Sequence, residues 1–244
     1  MFVPSQKATK TREDLIAVFG KTNNLLRDDG IREGVERFTE FSNILFLKLF
    51  DEIEDDREAK GEERRIEKDY CWKYFCNKPD KEILNYINDT ILPKLGNKYN
   101  HDGDVFPTSL KIKTSKTLKS IVDELSKLTL LDADSDIKGD AFEYFLKDSV
   151  TVGNDLGEYY TPRHIVKLMV NLVNPKFGDK VYDPCCGTGG FLIEAFRHIK
   201  KSCNITKKNQ ILEEETIWGG ELTETAKIAK MNMILAGDGH THIK

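Results

Sequence analysis

Several things are scarce in this 244-residue chain, and each shortage excludes something. Its five cysteines are an odd number, scattered without framework spacing. That excludes a disulfide-stapled secreted scaffold and points to a reduced, cytosolic setting. No apolar run approaches the roughly 18 residues of a membrane helix, and "ILFLKLF" (44–50) is far too short. The N-terminal "MFVPSQKATK" lacks the apolar core of a signal peptide. Positive charge is not in excess, because 37 Lys and Arg stand against 41 Asp and Glu, a net charge of −4. A lone non-specific nucleic-acid binder is usually basic, so DNA contact here calls for a partner or a local patch. Cys71 and Cys76 flank "WKYF", but a metal would want a second ligand pair and only His101 lies nearby, so no metal site is expected. Seven prolines are present, and no two are adjacent.

What is present is enough apolar residue, 39%, to bury a core in one large domain or two small ones. Residues 11–53 read as helical, with Phe38, Phe41, Leu45 and Leu49 on one face at three- and four-residue spacing. Phe46 and Leu47 widen that face, which suits either a helix buried on two sides or a surface for a partner. "EIEDDREAKGEERRIEKD" (52–69) is a charge run that reads as a solvated helix face or loop. "LGNKYNHDGDVFP" (95–107) has the Gly, Asn, Asp and Pro of a loop. Helical patterns return at 116–128 and 136–146. After about residue 150 the pattern changes. "TPRHIVKLMVNLV" (161–173) predicts a helix with Thr161 as N-cap and Pro162 in its first turn. "DKVYDP" (179–184) and "ETIWGGE" (215–221) predict strands, each followed by a helix, at 189–201 and 223–237. Alternating strand and helix implies a parallel, doubly wound sheet. The expected division is a helical domain over 1–130, a connecting helix and loop over 131–156, and an α/β domain over 157–244.

The informative stretch is "VYDPCCGTGGFLIEAF" (181–196). A strand, a glycine loop and a helix form a crevice at the carboxyl end of a parallel strand, where a cofactor can meet backbone N–H groups. A glycine turn alone is weak, because many folds need one for packing. Asp183 sharpens the reading. A carboxylate at the loop's edge would repel a pyrophosphate, and Gly187-Thr188-Gly189-Gly190 lacks full dinucleotide-binding spacing. The acid suits a cationic ligand without phosphate, as S-adenosylmethionine is. Glu221 ends the next strand, where an acid commonly pairs with ribose hydroxyls. Cys185 and Cys186 read as small packing residues.

On these motifs the chain resembles the N-terminal half or so of the modification subunit of type I restriction–modification systems, an N6-adenine DNA methyltransferase. "DPCCGTGGFL" (183–192) resembles the family's S-adenosylmethionine loop, "GEYYTPR" (157–163) its second cofactor segment, and "GGE" (219–221) its ribose-binding acid. "DIKGDAFEYFL" (136–146) and "FSNILFLKLFDEIEDD" (41–56) resemble its lead-in helix and its helical N-terminal domain. The paired cysteines depart from the small residues usual there. The resemblance implies a truncated Rossmann-like methyltransferase domain behind a mostly helical N-terminal domain. It gives Gly187, Thr188 and Gly189 backbone contacts to the methionine part of the cofactor and Glu221 the ribose, with Asp183 at the loop's edge. Glu158, Tyr159, Tyr160, Thr161, Pro162 and Arg163 would line the methionine end. It further implies a cytoplasmic complex with a DNA specificity subunit and a restriction subunit, meeting double-stranded DNA through that complex and no membrane.

Methylating an exocyclic amine also requires the adenine to leave its stack and be aligned for in-line displacement. The resembled family does this with an Asn-Pro-Pro-aromatic turn. No such turn occurs here, and "NPK" (174–176) lacks the second proline and the aromatic. The expectation is a fragment that ends before its catalytic motif and is inactive alone. The alternative is a non-catalytic subunit that binds S-adenosylmethionine or serves assembly.

Overall fold

The computed structural model describes residues 11–99, 106–130, 161–201, 212, 215–222, 225–236 and 242–244. They fall into two compact units, one before and one after residue 157.

The first unit is helical. Its elements are α1 (Arg12–Asp28), α2 (Val35–Ala59), a short α3 (Trp72–Phe75), α4 (Asp80–Tyr86), α5 (Leu92–Tyr99) and α6 (Ser115–Leu125), with a π-helical stretch Ile87–Ile91 joining α4 to α5. Thr11 and Thr114 begin α1 and α6 by accepting the N–H of Asp14 and Thr117, each at 3.3 Å. The helix expected over 11–53 is two helices. Gly30 (φ +86°) and Gly34 (φ +89°) break it with a left-handed backbone that apolar spacing alone does not reveal. The second helix then runs on into the charge run as far as Ala59. The loop expected over 95–107 is helical through Tyr99. The segment 136–146 lies outside the described residues.

Leu15, Phe19 and Leu26 of α1, Phe38, Phe41 and Ile44 of α2, and Leu118, Ile121 and Leu125 of α6 are fully buried. Phe19 meets Phe41 edge-on at 4.8 Å. Phe46 and Leu47 are buried as well, and Phe46 packs on Phe106 at 5.0 Å. The broad apolar face of α2 is therefore used inside this unit, not held out for a partner.

Helix α2 also buries charge, and each buried charge has a partner. Arg37 donates to the Ile31 carbonyl at 2.9 Å. Glu40 accepts the N–H groups of Lys111 and Ile112 at 2.7 and 3.0 Å. Asp51 accepts from Lys73 N–H at 3.3 Å, and Glu52 from Leu130 N–H at 2.7 Å. Glu54 accepts from the N–H groups of Arg65 and Ile66 and from the Arg65 guanidinium. Most of the run 52–69 is exposed, as a helix end and the loop after it, with only Glu54 and Ile66 buried. It doubles back, and Arg64 reaches Asp55 at 2.7 Å and Glu58 at 2.9 Å.

The second unit contains α7 (Arg163–Val173), β1 (Val181–Asp183), α8 (Gly190–Lys201), β2 (Ile217–Gly219), α9 (Thr225–Ala236) and β3 (His242–Ile243). The three strands form one parallel sheet in the order β1-β2-β3. Tyr182 is in register with Trp218, and Trp218 with His242. Because side chains alternate along a strand, Ile217 and Ile243 face inward. They share a core with Leu192, Phe196 and Ile199 of α8, Ala229 and Met233 of α9, and Val166 and Val170 of α7. On the other face Trp218 stacks on His242 at 4.0 Å, and Tyr182 is exposed. Helix α7 begins one residue later than expected. Pro162 is extended (ψ 135°) and precedes the helix, its carbonyl accepting Ile165 N–H at 2.9 Å, so Thr161 stands outside and caps nothing. Asn174, left-handed at φ 52°, closes the helix and donates its N–H to Val170.

Candidate functional site

Parallel strands end on the same edge of a sheet, so the segments after β1 and β2 meet there. Backbone hydrogen bonds stitch them together: Gly220 N–H donates to Asp183 O at 2.8 Å, and Cys186 N–H to Gly220 O at 2.9 Å. Glu221 N–H donates to Lys244 O at 2.9 Å, which brings in the end of β3. The crossing is close. A Cβ on Gly220 would lie 2.7 Å from the Pro184 carbonyl oxygen, so only glycine fits without displacing backbone.

The loop itself is a tight turn. Gly189 N–H donates to Cys186 O at 2.8 Å, and Gly187, second in the turn, has φ +53°, a conformation that favours glycine. A Cβ on Gly187 would meet nothing within 4 Å, so this side of the turn is open. A Cβ on Gly189 would lie 3.6 Å from Ala229 of α9, so that side of the turn faces the helix.

Three side chains hold the loop from outside. The Asp183 carboxylate accepts Cys185 N–H at 3.1 Å. The Glu221 carboxylate accepts Gly187 N–H at 3.1 Å. The Asn232 side-chain amide donates to Thr188 O at 3.0 Å. Negative charge gathers at the mouth. The buried Cys186 thiol is pushed up to about 12, by burial first and then by the Asp183 and Glu221 carboxylates. Cys186 packs in the core, as expected of a small residue, whereas Cys185 is exposed and does not.

The structure therefore brings together Asp183, Gly187, Thr188, Gly189 and Glu221. Thr161, Pro162 and Arg163 stand at the start of α7, whose Val166 and Val170 share the core with α8, the helix leaving the loop. Glu158, Tyr159 and Tyr160 lie outside the described residues. Sequence reasoning missed Gly220, Ala229 and Asn232. Asn232, an amide among the apolar residues of "MNMIL", was the one visible signal. Among the described residues no group of three or more His, Cys, Asp or Glu is placed to hold a metal, and no helix is long and apolar enough to cross a membrane.

Chemically, the mouth offers an open glycine backbone, the N-terminal amides of α8 and two carboxylates. That set suits a small ligand with hydroxyl groups and positive charge.

Known proteins resemble this chain in sequence and fold. A family profile described as N-6 DNA Methylase matches residues 133–244. The EcoEI type I restriction enzyme methylase subunit of Escherichia coli is 29% identical over 229 residues, covering 86% of this chain and 46% of that protein. A modification subunit assigned to a type I restriction enzyme of Vibrio vulnificus YJ016 superposes with a TM-score of 0.75 at 25% identity, over 100% of this chain and 57% of that one. A chain solved for the complex assembly and conformational transition of a type I restriction–modification system gives 0.72 at 26% identity, over 96% and 51%. The chain spans about half the length of these relatives. Residues 133–244 thus match the N-6 DNA Methylase family, and the chain as a whole is similar to type I restriction–modification methylase subunits.

Proposed function

We propose that residues 157–244 bind S-adenosylmethionine and form the first part of a Rossmann-like domain that methylates the N6 amine of adenine in DNA. Residues 1–130 form a separate helical domain in this reading. The observation that carries it is the Glu221 carboxylate meeting the Gly187 N–H beside an open, left-handed turn. The residues fit the cofactor. Open space at Gly187 admits a ligand to the backbone, and the acids Asp183 and Glu221 match a sulfonium and an ammonium group while disfavouring phosphate.

Within this reading Glu221 receives the ribose hydroxyls, and Gly187, Thr188 and Gly189 line the methionine part. Asp183 shapes the turn and adds negative charge. Glu158, Tyr159, Tyr160, Thr161, Pro162 and Arg163 complete the methionine end. S-adenosylmethionine supplies, when bound, an electrophilic methyl group on sulfur. The chain's own residues orient the ligand and keep phosphate-bearing competitors out. The 244 residues hold no Asn-Pro-Pro-aromatic turn to position the target amine. We therefore expect this chain by itself to bind cofactor without transferring methyl.

The relatives act in type I systems, and we assign this chain the same setting: a cytoplasmic complex with a DNA specificity subunit and a restriction subunit, meeting double-stranded DNA through that complex. A net charge of −4 supports DNA affinity near background for the chain alone, because non-specific affinity comes mostly from Lys and Arg neutralising phosphates. Calorimetric titration with S-adenosylmethionine and with NAD tests the cofactor reading. The first is expected to bind and the second not, and tight NAD binding would sink it. Transfer of a tritiated methyl group to DNA by the isolated chain would refute the expected inactivity.

A further inference from the structure

Most of the loop's anchors come from the two strand ends that define the site. One does not. Asn232 lies on α9, 44 residues from Thr188, and its amide donates to the Thr188 carbonyl at 3.0 Å. Three residues earlier on the same helix stands Ala229, 3.6 Å from where a Cβ on Gly189 would lie. Positions i and i+3 of a helix share a face, so one face of α9 meets two consecutive residues of the turn.

The Thr188 carbonyl is a consequential place to hold. It belongs to the peptide joining Thr188 to Gly189, and Gly189 is left-handed at φ +82°. The N–H of that same peptide donates to Cys186 O at 2.8 Å and closes the turn. Carbonyl and N–H of one peptide point in opposite directions. Fixing the carbonyl on α9 therefore fixes the N–H in the turn, and with it the direction in which the preceding open residue, Gly187, presents its backbone.

We propose that Asn232 is a positioning residue of the cofactor loop: its side-chain amide sets the orientation of the Thr188–Gly189 peptide and so holds the turn in its ligand-receiving form. This inference rests on the reading of the loop as the S-adenosylmethionine site. Asn232 does not reach the ligand in this scheme; it acts through Thr188. An acceptor in its place would face a carbonyl oxygen with no proton between them, so what is needed is a donor and not merely a side chain of that size.

The test compares Asn232→Asp, which keeps the shape and removes the donor, with Asn232→Gln, which keeps the amide. Asn232→Ala serves as the deletion. Affinity for S-adenosylmethionine is measured by calorimetry, and amide hydrogen exchange over 186–190 is measured in the ligand-free chains. We expect Asn232→Asp and Asn232→Ala to weaken binding about five- to tenfold, the usual effect of one hydrogen bond, and to speed exchange in the loop. Asn232→Gln should stay within about threefold of the native chain on the same scale. A packing role would give the opposite order, with Asp close to native and Gln disturbed, and would overturn the proposal. Unchanged exchange and affinity in Asn232→Asp would overturn it too. If the native chain fails to bind the cofactor, the site reading falls, yet the exchange comparison still decides whether Asn232 orients the turn.

Discussion

The amide N–H of Gly187 meets the Glu221 carboxylate at 3.1 Å, joining the turn after one strand to the end of the next across 34 residues of chain. The contact is charge-assisted, and such bonds are stronger than those between neutral groups. Glu221 therefore has two tasks in the proposed site: it holds the turn and it receives ligand hydroxyls. Glu221→Ala removes both, and we expect S-adenosylmethionine affinity to fall by about tenfold or more. Glu221→Gln keeps an acceptor oxygen and should lose less. Calorimetric titration of the three chains checks the order.

The crossing of the two loops gives a stability test independent of any ligand. Gly220→Ala would place a Cβ 2.7 Å from a backbone oxygen, whereas a Cβ on Gly190 meets nothing within 4 Å. Forcing an atom into a filled space typically costs about 1–3 kcal/mol, so Gly220→Ala should lower the unfolding free energy by that amount. Gly190→Ala should be near neutral. Denaturant melts of the two variants check the contrast.

The thiols should separate by reactivity. Cys185 is exposed, while burial foremost pushes Cys71 and Cys186 up to about 12. The thiolate is the reactive form, so at pH 8 an alkylating reagent should modify Cys185 well before the other two. Saturating S-adenosylmethionine should slow the reaction at Cys185, which lies in the loop. Peptide mapping by mass spectrometry follows each site.

Acid should act on the helical unit through Asp55. Burial raises its carboxyl, but hydrogen bonds from Lys73 and Arg64 outweigh that and leave it below its ordinary value. A depressed carboxyl adds stability above the unfolded value, about pH 4, and loses it as pH falls through the lower folded value. Glu40 behaves in the opposite sense. Burial raises it despite its bonds to Ile112 and Lys111, so its charged form opposes folding as pH rises. Asp55→Asn should therefore flatten the loss of stability below about pH 4. Glu40→Gln, which still accepts both N–H groups, should be nearly neutral at pH 7, whereas Glu40→Ala should cost about 1–3 kcal/mol by leaving them unpaired. Thermal melts across pH resolve both effects.

The elements most legible in the sequence were those whose cause is local. β1, the glycine turn and α8 follow one another within twenty residues, and the turn needs Gly187 whatever surrounds it. Glu221 could be paired with the loop because parallel strands end together. What escaped depends on return contacts. The charge run 52–69 reads correctly as mostly solvated, but its spacing does not reveal that Arg64 and Arg65 pair back onto α2. Asn232 reads as an ordinary helix residue until α9 is packed beside Thr188. The break at Gly30 and Gly34 was visible as glycines, but the apolar spacing on either side masked it. The short β3 has too few residues to show any period.

Helix α2 has a consequence for how its unit can vary. Glu40, Asp51, Glu52 and Glu54 each fasten a different distant segment, at Lys111, Lys73, Leu130 and Arg65. Those fastenings radiate from one shaft, as spokes do from a hub. A segment between two spokes can be lengthened or exchanged while the remaining spokes keep their own attachments, but a one-residue insertion in the shaft between Glu40 and Asp51 turns Asp51, Glu52 and Glu54 by about 100° relative to Glu40, so the two sets cannot both stay attached.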